Sequence, residues 1–293
     1  MTKIYYFNFL ARIKFNLNKS IILVGDFANW SKFEDDQVKY LNEIAENNNV
    51  EKSILVFKNS LFNESLLNSD NIIEKAKKYK INNVIFYEYN SKYKEFLISD
   101  LYNNLVSQVN ASKFIIANNY NIDVFNTVFF TKNDKQNTLI YKDFNLKEED
   151  YSSIKLIENN KFEEFKVLND FSYKFDGIVE KGKQLGRKIG FPTINIVIKN
   201  KKLILNHGIF ACKVYIESLK KEFAGAGCYW KNELNQEVFE VNIFDFNKEI
   251  YDWKVTITPI KWIRENKKVN SLEELIELLK KDVDNCKKII ILE

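Results

Sequence analysis

Glycine is scarce in this chain and unevenly placed. Four of its eight glycines fall between Gly177 and Asn195, in the run Gly-Ile-Val-Glu-Lys-Gly-Lys-Gln-Leu-Gly-Arg-Lys-Ile-Gly-Phe-Pro-Thr-Ile-Asn, together with one of two prolines, Pro192, and one of three arginines, Arg187. A residue without a Cβ lets backbone amides approach an anion closely, and successive free N–H groups form an anion-binding concavity. The segment from Gly182 to Arg187 therefore reads as a candidate phosphate cradle, with a plain turn between two strands as the competing reading. It is neither of the common phosphate loops. Gly182 and Gly186 enclose three residues and Arg187 follows, where a Walker A loop has four and then Lys-Ser/Thr, and no Gly-x-Gly-x-x-Gly occurs. Thr193 and Asn195 close the run two residues apart. On a strand that spacing puts both side chains on one face, as a hydroxyl and an amide suited to sharing a cation.

As a whole, Gly177–Asn195 resembles the riboflavin kinase signature Gly-x-Val-x-x-Gly-x-x-x-Gly-Arg-x-x-Gly-Phe-Pro-Thr-Ala-Asn, departing from it at Ile194. The resemblance implies that Gly182, Lys183, Gly186, Arg187, Gly190, Phe191 and Pro192 serve the nucleotide of ATP, and that Thr193 and Asn195 hold Mg²⁺. Further on, Glu240-Val241-Asn242-Ile243-Phe244-Asp245-Phe246 looks like the family segment whose glutamate is the base. Ile263-Arg264-Glu265 and Ser271–Leu275 look like its flavin side, with Arg264 as the implied flavin-binding residue and Asp282 at the matching place in the last helix. Two places depart from the pattern: Val269 stands where phenylalanine is usual, and Gly227-Cys228-Tyr229-Trp230-Lys231 stands where a Pro-Thr pair is expected.

With 293 residues, 45% hydrophobic and 29% charged, the chain has the composition of a soluble globular protein long enough for two cores. Its 44 basic and 40 acidic residues leave a net charge of +4, too mild to call for nucleic acid or an anionic membrane as partner. No apolar run reaches the length of a membrane span, and Met1-Thr2-Lys3 leads into Ile4–Phe7 without a signal-peptide layout, so the reading is a cytoplasmic protein. Three cysteines and a single histidine, without metal-ligand spacing, argue against a disulfide framework or a zinc site. No sequence feature specifies an oligomeric state.

Up to about Asp170 there is one glycine, Gly25, and no proline. That composition shift divides the chain into 1–165 and 166–293. In the first part, Ile21–Val24, Ile54–Phe57, Val84–Tyr87 and Phe114–Ala117 read as buried strands. Val38/Leu41/Ile44/Ala45 and Leu97/Leu101/Leu105/Val109 repeat at helical spacing between them. The alternation predicts a parallel sheet covered on both faces, an α/β Rossmann-like domain whose ligands sit at the carboxyl ends of strands, first at Gly25-Asp26-Phe27. The resemblance extends here to the adenylyltransferase half of bifunctional riboflavin kinase/FAD synthetases, but only Gly25 and Phe27 answer to the loop Gly-x-Phe-Asp-Gly-x-His-x-Gly-His. The one histidine, His207, lies in the other half, and Ser152-Ser153-Ile154-Lys155-Leu156-Ile157 has isoleucine where Ser-Ser-Thr-x-Ile-Arg has its threonine and its arginine. Three readings stand: a degenerate nucleotidyltransferase-type domain supporting the kinase, a nucleotide or flavin binder without turnover, or an enzyme using Lys32 with Asp35 or Asp36. Those charges otherwise read as a solvated helix start.

In the second part, His207–Ile216, Val238–Phe246 and Trp253–Ile263 alternate as strands of an antiparallel β-barrel. Phe239, Val241 and Ile243 face one way, Glu240 and Asn242 the other. A terminal helix is expected from the capping box Ser271-x-x-Glu274 and the apolar stripe Leu272, Leu275, Ile276, Leu279 and Val283. The resemblance thus implies a riboflavin kinase, with riboflavin and ATP as substrates and FMN and ADP as products. The alternatives are a bifunctional enzyme that carries FMN on to FAD, and a flavin- or nucleotide-binding regulator.

Overall fold

The computed structural model describes residues 1–8, 17–25, 27–58, 66–88, 109–117, 139–144, 152–198, 203 and 205–291. Asp26 and the helical repeat at Leu97, Leu101 and Leu105 lie outside them. The chain forms two compact units, Met1–Ser152 and Ser153–Glu293, which meet upstream of the boundary drawn from composition.

In the first unit six strands are described, β1 (Lys3–Asn8), β2 (Ser20–Gly25), β3 (Glu51–Lys58), β4 (Asn83–Glu88), β5 (Ala111–Ala117) and β6 (Leu139–Lys142). They form one sheet in the order β1-β4-β3-β2-β5-β6, with every pair parallel. The four expected apolar runs are its four inner strands. Every residue of β2 is buried, as parallel strands covered on both faces require. Helix α1 (Lys32–Asn48) starts at a capping box in which Ser31 accepts from Phe33 N–H and Glu34 accepts from Ser31 N–H; it turns Val38, Leu41 and Ala45 inward. Helix α2 (Ser69–Lys78) is capped by the Asn68 side chain.

The charges at the start of α1 do not behave alike. Asp36 pairs with Lys39 at 2.7 Å on the surface, as a solvated helix start would. Asp35 instead accepts from the indole of fully buried Trp30 at 2.8 Å and pairs at 3.4 Å with buried Lys75, whose ammonium also donates to the Trp30 carbonyl. A carboxylate beside a buried indole and ammonium is more useful there than in water, and this corrects the solvated reading for Asp35. Asn29 accepts from Leu66 N–H at 2.8 Å, so the turn after β2 is tied to the segment entering α2.

The second unit begins with two short helices, α3 (Ser152–Glu158) and α4 (Phe162–Asn169). Phe162 packs edge-on against Phe210, and Phe165 against Tyr173, which joins α4 to the following barrel. The barrel strands are β7 (Phe175–Glu180), β8 (Ile194–Val197), β9 (Gly208–Ile216), β10 (Lys221–Lys231), β11 (Glu237–Ile243) and β12 (Lys254–Arg264). They close in the order β10-β11-β8-β7-β12-β9 with antiparallel pairing throughout. Phe239 fills the interior against Phe175, Phe210 and Tyr229. Strand β10 has no counterpart among the runs read from sequence, because small residues replace the expected apolar alternation. The reason is steric: a Cβ on Gly227 would stand 2.7 Å from the Phe239 ring.

Helix α5 (Leu185–Lys188) is a single turn between β7 and β8, and α6 (Leu272–Ile291) ends the described chain. Ser271 accepts from Glu274 N–H as its cap, but the Glu274 carboxylate reaches back to Asn270 N–H instead of Ser271, so half of the expected box forms. The apolar stripe continues beyond Val283 through Cys286 and Ile290, and this C-terminal half packs on Ala211 and Phe244. Leu272, at the other end, is half exposed. The stripe is real, but the part that docks is centred later than the part read from sequence.

Candidate functional site

Strand pairing assembles one row of side chains. Asn195 on β8 is the register partner of Glu180 on β7 and of Glu240 on β11; Glu240 is also the partner of Cys228 on β10, and Cys228 of Ile209 on β9. Directly paired residues share a face, here the one opposite the Phe239 packing. As expected from the alternation, Phe239, Val241 and Ile243 are buried, while Glu240 and Asn242 lie half-buried on the other side.

The glycine loop is pressed onto this row. A Cβ on Gly182 would collide with the Asn195 amide, and one on Gly186 would collide with the Phe191 carbonyl and come within 3.7 Å of Thr193 Oγ1. The two glycines are therefore required by close approach of the loop to the hydroxyl and amide beneath it. Phe191 N–H donates to Gly186 O at 2.8 Å, Gly190 takes a positive φ of 85°, and Asn242 Nδ2 donates to Pro192 O at 2.7 Å, which pins the turn onto β11. Gln184 Nε2 donates to Tyr251 Oη at 2.9 Å.

The loop's cations point elsewhere. Lys183 pairs with Glu233 at 2.6 Å and Arg187 with Glu249 at 2.7 Å, both on the surface. Exposed pairs of this kind contribute little and open readily. The structure thus brings Gly182, Gly186, Thr193, Asn195 and Glu240 together, and leaves Lys183 and Arg187 beside their own acidic partners.

Burial pushes the Glu240 carboxyl above the ordinary carboxylate range, while hydrogen bonds with Trp230 and Thr193 pull it part of the way back. Trp230 Nε1 donates to Glu240 Oε1 at 3.2 Å. A half-buried carboxyl with raised proton affinity, next to a hydroxyl and an amide, is suited to taking a proton from an alcohol. Thr193 and Asn195 carry oxygen donors of the kind Mg²⁺ takes.

Arg264 stands at the other end of the row as the partner of Ile209, and its guanidinium is held two-pronged by buried Asp282 of α6, with Nε to Oδ1 at 2.9 Å and Nη2 on Oδ2. Just beyond it, Asn266 crosses to β10, donating to Tyr229 O at 2.9 Å and accepting from Cys228 Sγ at 3.4 Å. Burial, with Glu240 adding to it, pushes the Cys228 thiol up to about 12, so it is neutral. Val269 is half-buried. His207 lies just before β9, with Nε2 2.7 Å from Glu237 and its ring edge-on to Tyr229, as a loop residue. Sequence reasoning missed Trp230, Asn242 and Glu180 as neighbours of the site. Asn242 had the outward parity of β11 as a signal; Glu180 and Trp230 had none, because β7 and β10 were not among the runs read as strands.

Residues 169–290 match the family model described as "Flavokinase: Riboflavin kinase". The chain is 33% identical over 133 residues to a bifunctional riboflavin kinase/FMN adenylyltransferase of Bacillus subtilis, a match that spans 43% of this chain and 41% of that enzyme. It is 25% identical over 301 residues to the protein of the same name from Buchnera aphidicola (subsp. Schizaphis graminum), covering 94% of this chain and 95% of the relative. A crystal structure described as that of a macrolide-efflux protein from Streptococcus pneumoniae shares the fold, with a TM-score of 0.64 at 20% identity over 94% of this chain and 97% of that one.

Proposed function

We propose, with residues 169–290 as a riboflavin kinase domain, that the chain is an ATP-dependent riboflavin kinase. It transfers the γ-phosphoryl group of ATP to the 5′-hydroxyl of riboflavin. The observation that carries the reading is the pairing of Asn195 with Glu240 under the glycine loop. In this reading the loop from Gly182 to Arg187, with Gly190, Phe191 and Pro192 shaping its exit, cradles the nucleotide phosphates. Lys183 and Arg187 exchange their surface carboxylates for phosphate. Thr193 and Asn195 hold Mg²⁺, which supplies neutralisation of phosphate charge when bound.

Glu240 accepts the proton of the ribityl 5′-hydroxyl as its oxygen forms a bond to the γ-phosphorus. The bond from that phosphorus to the β,γ-bridging oxygen breaks, and ADP leaves. Such a transfer depends on positioning and charge neutralisation more than on covalent chemistry by the protein. Arg264, oriented by Asp282, stands on the flavin side.

The first unit we take to be a nucleotidyltransferase-type domain that has lost FMN adenylylation, since the paired histidines of that chemistry have no equivalent in it. A second reading, that FMN is carried on to FAD, is favoured by the relative that matches over nearly its whole length and is named as bifunctional. We place the protein in the cytoplasm, consistent with the described residues holding no helix long and apolar enough to cross a membrane. One assay tests all of this: the chain with riboflavin, ATP and Mg²⁺, its flavins resolved by chromatography. FMN without FAD is expected. FAD would establish the second reading, and unchanged riboflavin would overturn both.

A further inference from the structure

We propose that Trp230 is a positioning residue for this transfer, its indole N–H holding the Glu240 carboxylate in one orientation beside Thr193 and Asn195; the inference rests on the kinase reading above. Trp230 and Cys228 lie two apart on β10, and Cys228 is the register partner of Glu240 while Trp230 is the partner of Val238. Trp230 is therefore the diagonal neighbour of Glu240, at a separation that only a long or aromatic side chain spans. Its Nε1 meets Oε1 at 3.2 Å.

Two properties make the indole suited to this work. It donates and never accepts, so it orients the carboxylate without competing for the substrate's proton. Its N–H fixes one carboxylate oxygen, Oε1, in place. Thr193, just before β8, also bonds the carboxyl, so the base is held from β10 and from the end of the glycine loop at once. The motif departure at Gly227–Lys231 thereby acquires a chemical reading. Beyond Trp230, the turn at Asn232–Gln236 carries Glu233, the partner of Lys183, so the strand that aims the base is also tied to the phosphate loop.

Trp230→Phe keeps the bulk and removes the donor. On the full chain, kcat for FMN formation is expected to fall about tenfold, the size of one hydrogen bond to a charged group, with KM for riboflavin and ATP within about twofold. In a Glu240→Gln background the same substitution should cost nothing further. Independently of activity, the Trp230 indole ¹⁵N–¹H resonance should differ between the native chain and Glu240→Gln at one fixed pH, because the substitution removes the charged acceptor that the indole N–H meets. An indole resonance unmoved by Glu240→Gln overturns the proposal whatever the assay gives, as does a Trp230→Phe effect that persists undiminished without Glu240. A native chain that makes no FMN defeats the kinase reading instead, and the indole resonance still decides whether the two side chains are linked.

Discussion

Asn195 and Glu240 face each other across β8 and β11 as direct register partners, 45 positions apart in the chain and adjacent in the barrel wall. A neutral oxygen donor and a carboxyl thus sit side by side on rigid strands, with a glycine loop folded down upon them. Rigidity matters because a displacement of about 1 Å at a reacting centre costs up to about a hundredfold in rate.

If Glu240 is the base, Glu240→Gln should lower kcat by about a hundredfold or more while leaving KM for ATP within about twofold. Steady-state kinetics of FMN formation check this. Full activity in the variant would remove Glu240 from the mechanism.

The same substitution should stabilise the protein, with a pH dependence whose sign follows from the raised proton affinity of the folded carboxyl. Below its unfolded pKa, about 4.3, the group is protonated in both states and contributes nothing. As pH rises from there through the folded value, the unfolded chain releases its proton first, so the native protein loses stability relative to the variant. Glu240→Gln should therefore melt higher than wild type at neutral pH and converge with it near pH 4. Equal melting temperatures at neutral pH would contradict the burial argument.

Thr193→Val removes one hard oxygen donor and one hydrogen bond to Glu240. The concentration of Mg²⁺ needed for half-maximal FMN formation should rise by about tenfold or more, reflecting loss of a ligand to a cation that demands near-complete oxygen coordination. An unchanged magnesium titration would count against ligation at this position.

Asp282→Ala leaves the Arg264 guanidinium, three-quarters buried at 26% exposure, without its partner. Breaking such a pair by removing one member costs about 3 kcal/mol. Urea unfolding followed by tryptophan fluorescence should show that loss, and riboflavin affinity should fall with it. A loss under about 1 kcal/mol would mean that water compensates the arginine.

The patterns that proved readable were those set by local geometry. Four continuous apolar runs became the inner strands of the parallel sheet, since only strands covered on both faces need no polar side. The outward parity of Glu240 and Asn242 was visible in the alternation of β11, because only one face of that strand packs into the barrel interior. Strand β10 escaped because its Gly227 answers to the Phe239 ring on another strand, a demand that no periodicity within β10 records. Asp35 was misjudged because Trp30 and Lys75, which draw it inward, reach it from outside its own helix.

From residue order alone came the two-part division, the sheet, the barrel, the glycine loop and a short set of polar candidates, all consequences of periodicity, backbone freedom and side-chain chemistry over a few neighbouring positions. Folding settled which candidates meet: Gly182 against Asn195, Asn195 beside Glu240, Trp230 bonded to that carboxyl, and Lys183 and Arg187 turned toward other acids. Barrel register decides this, because it brings strands distant in the chain to within one hydrogen-bond spacing, about 4.8 Å, and that alignment is a property of the closed sheet and of no single strand.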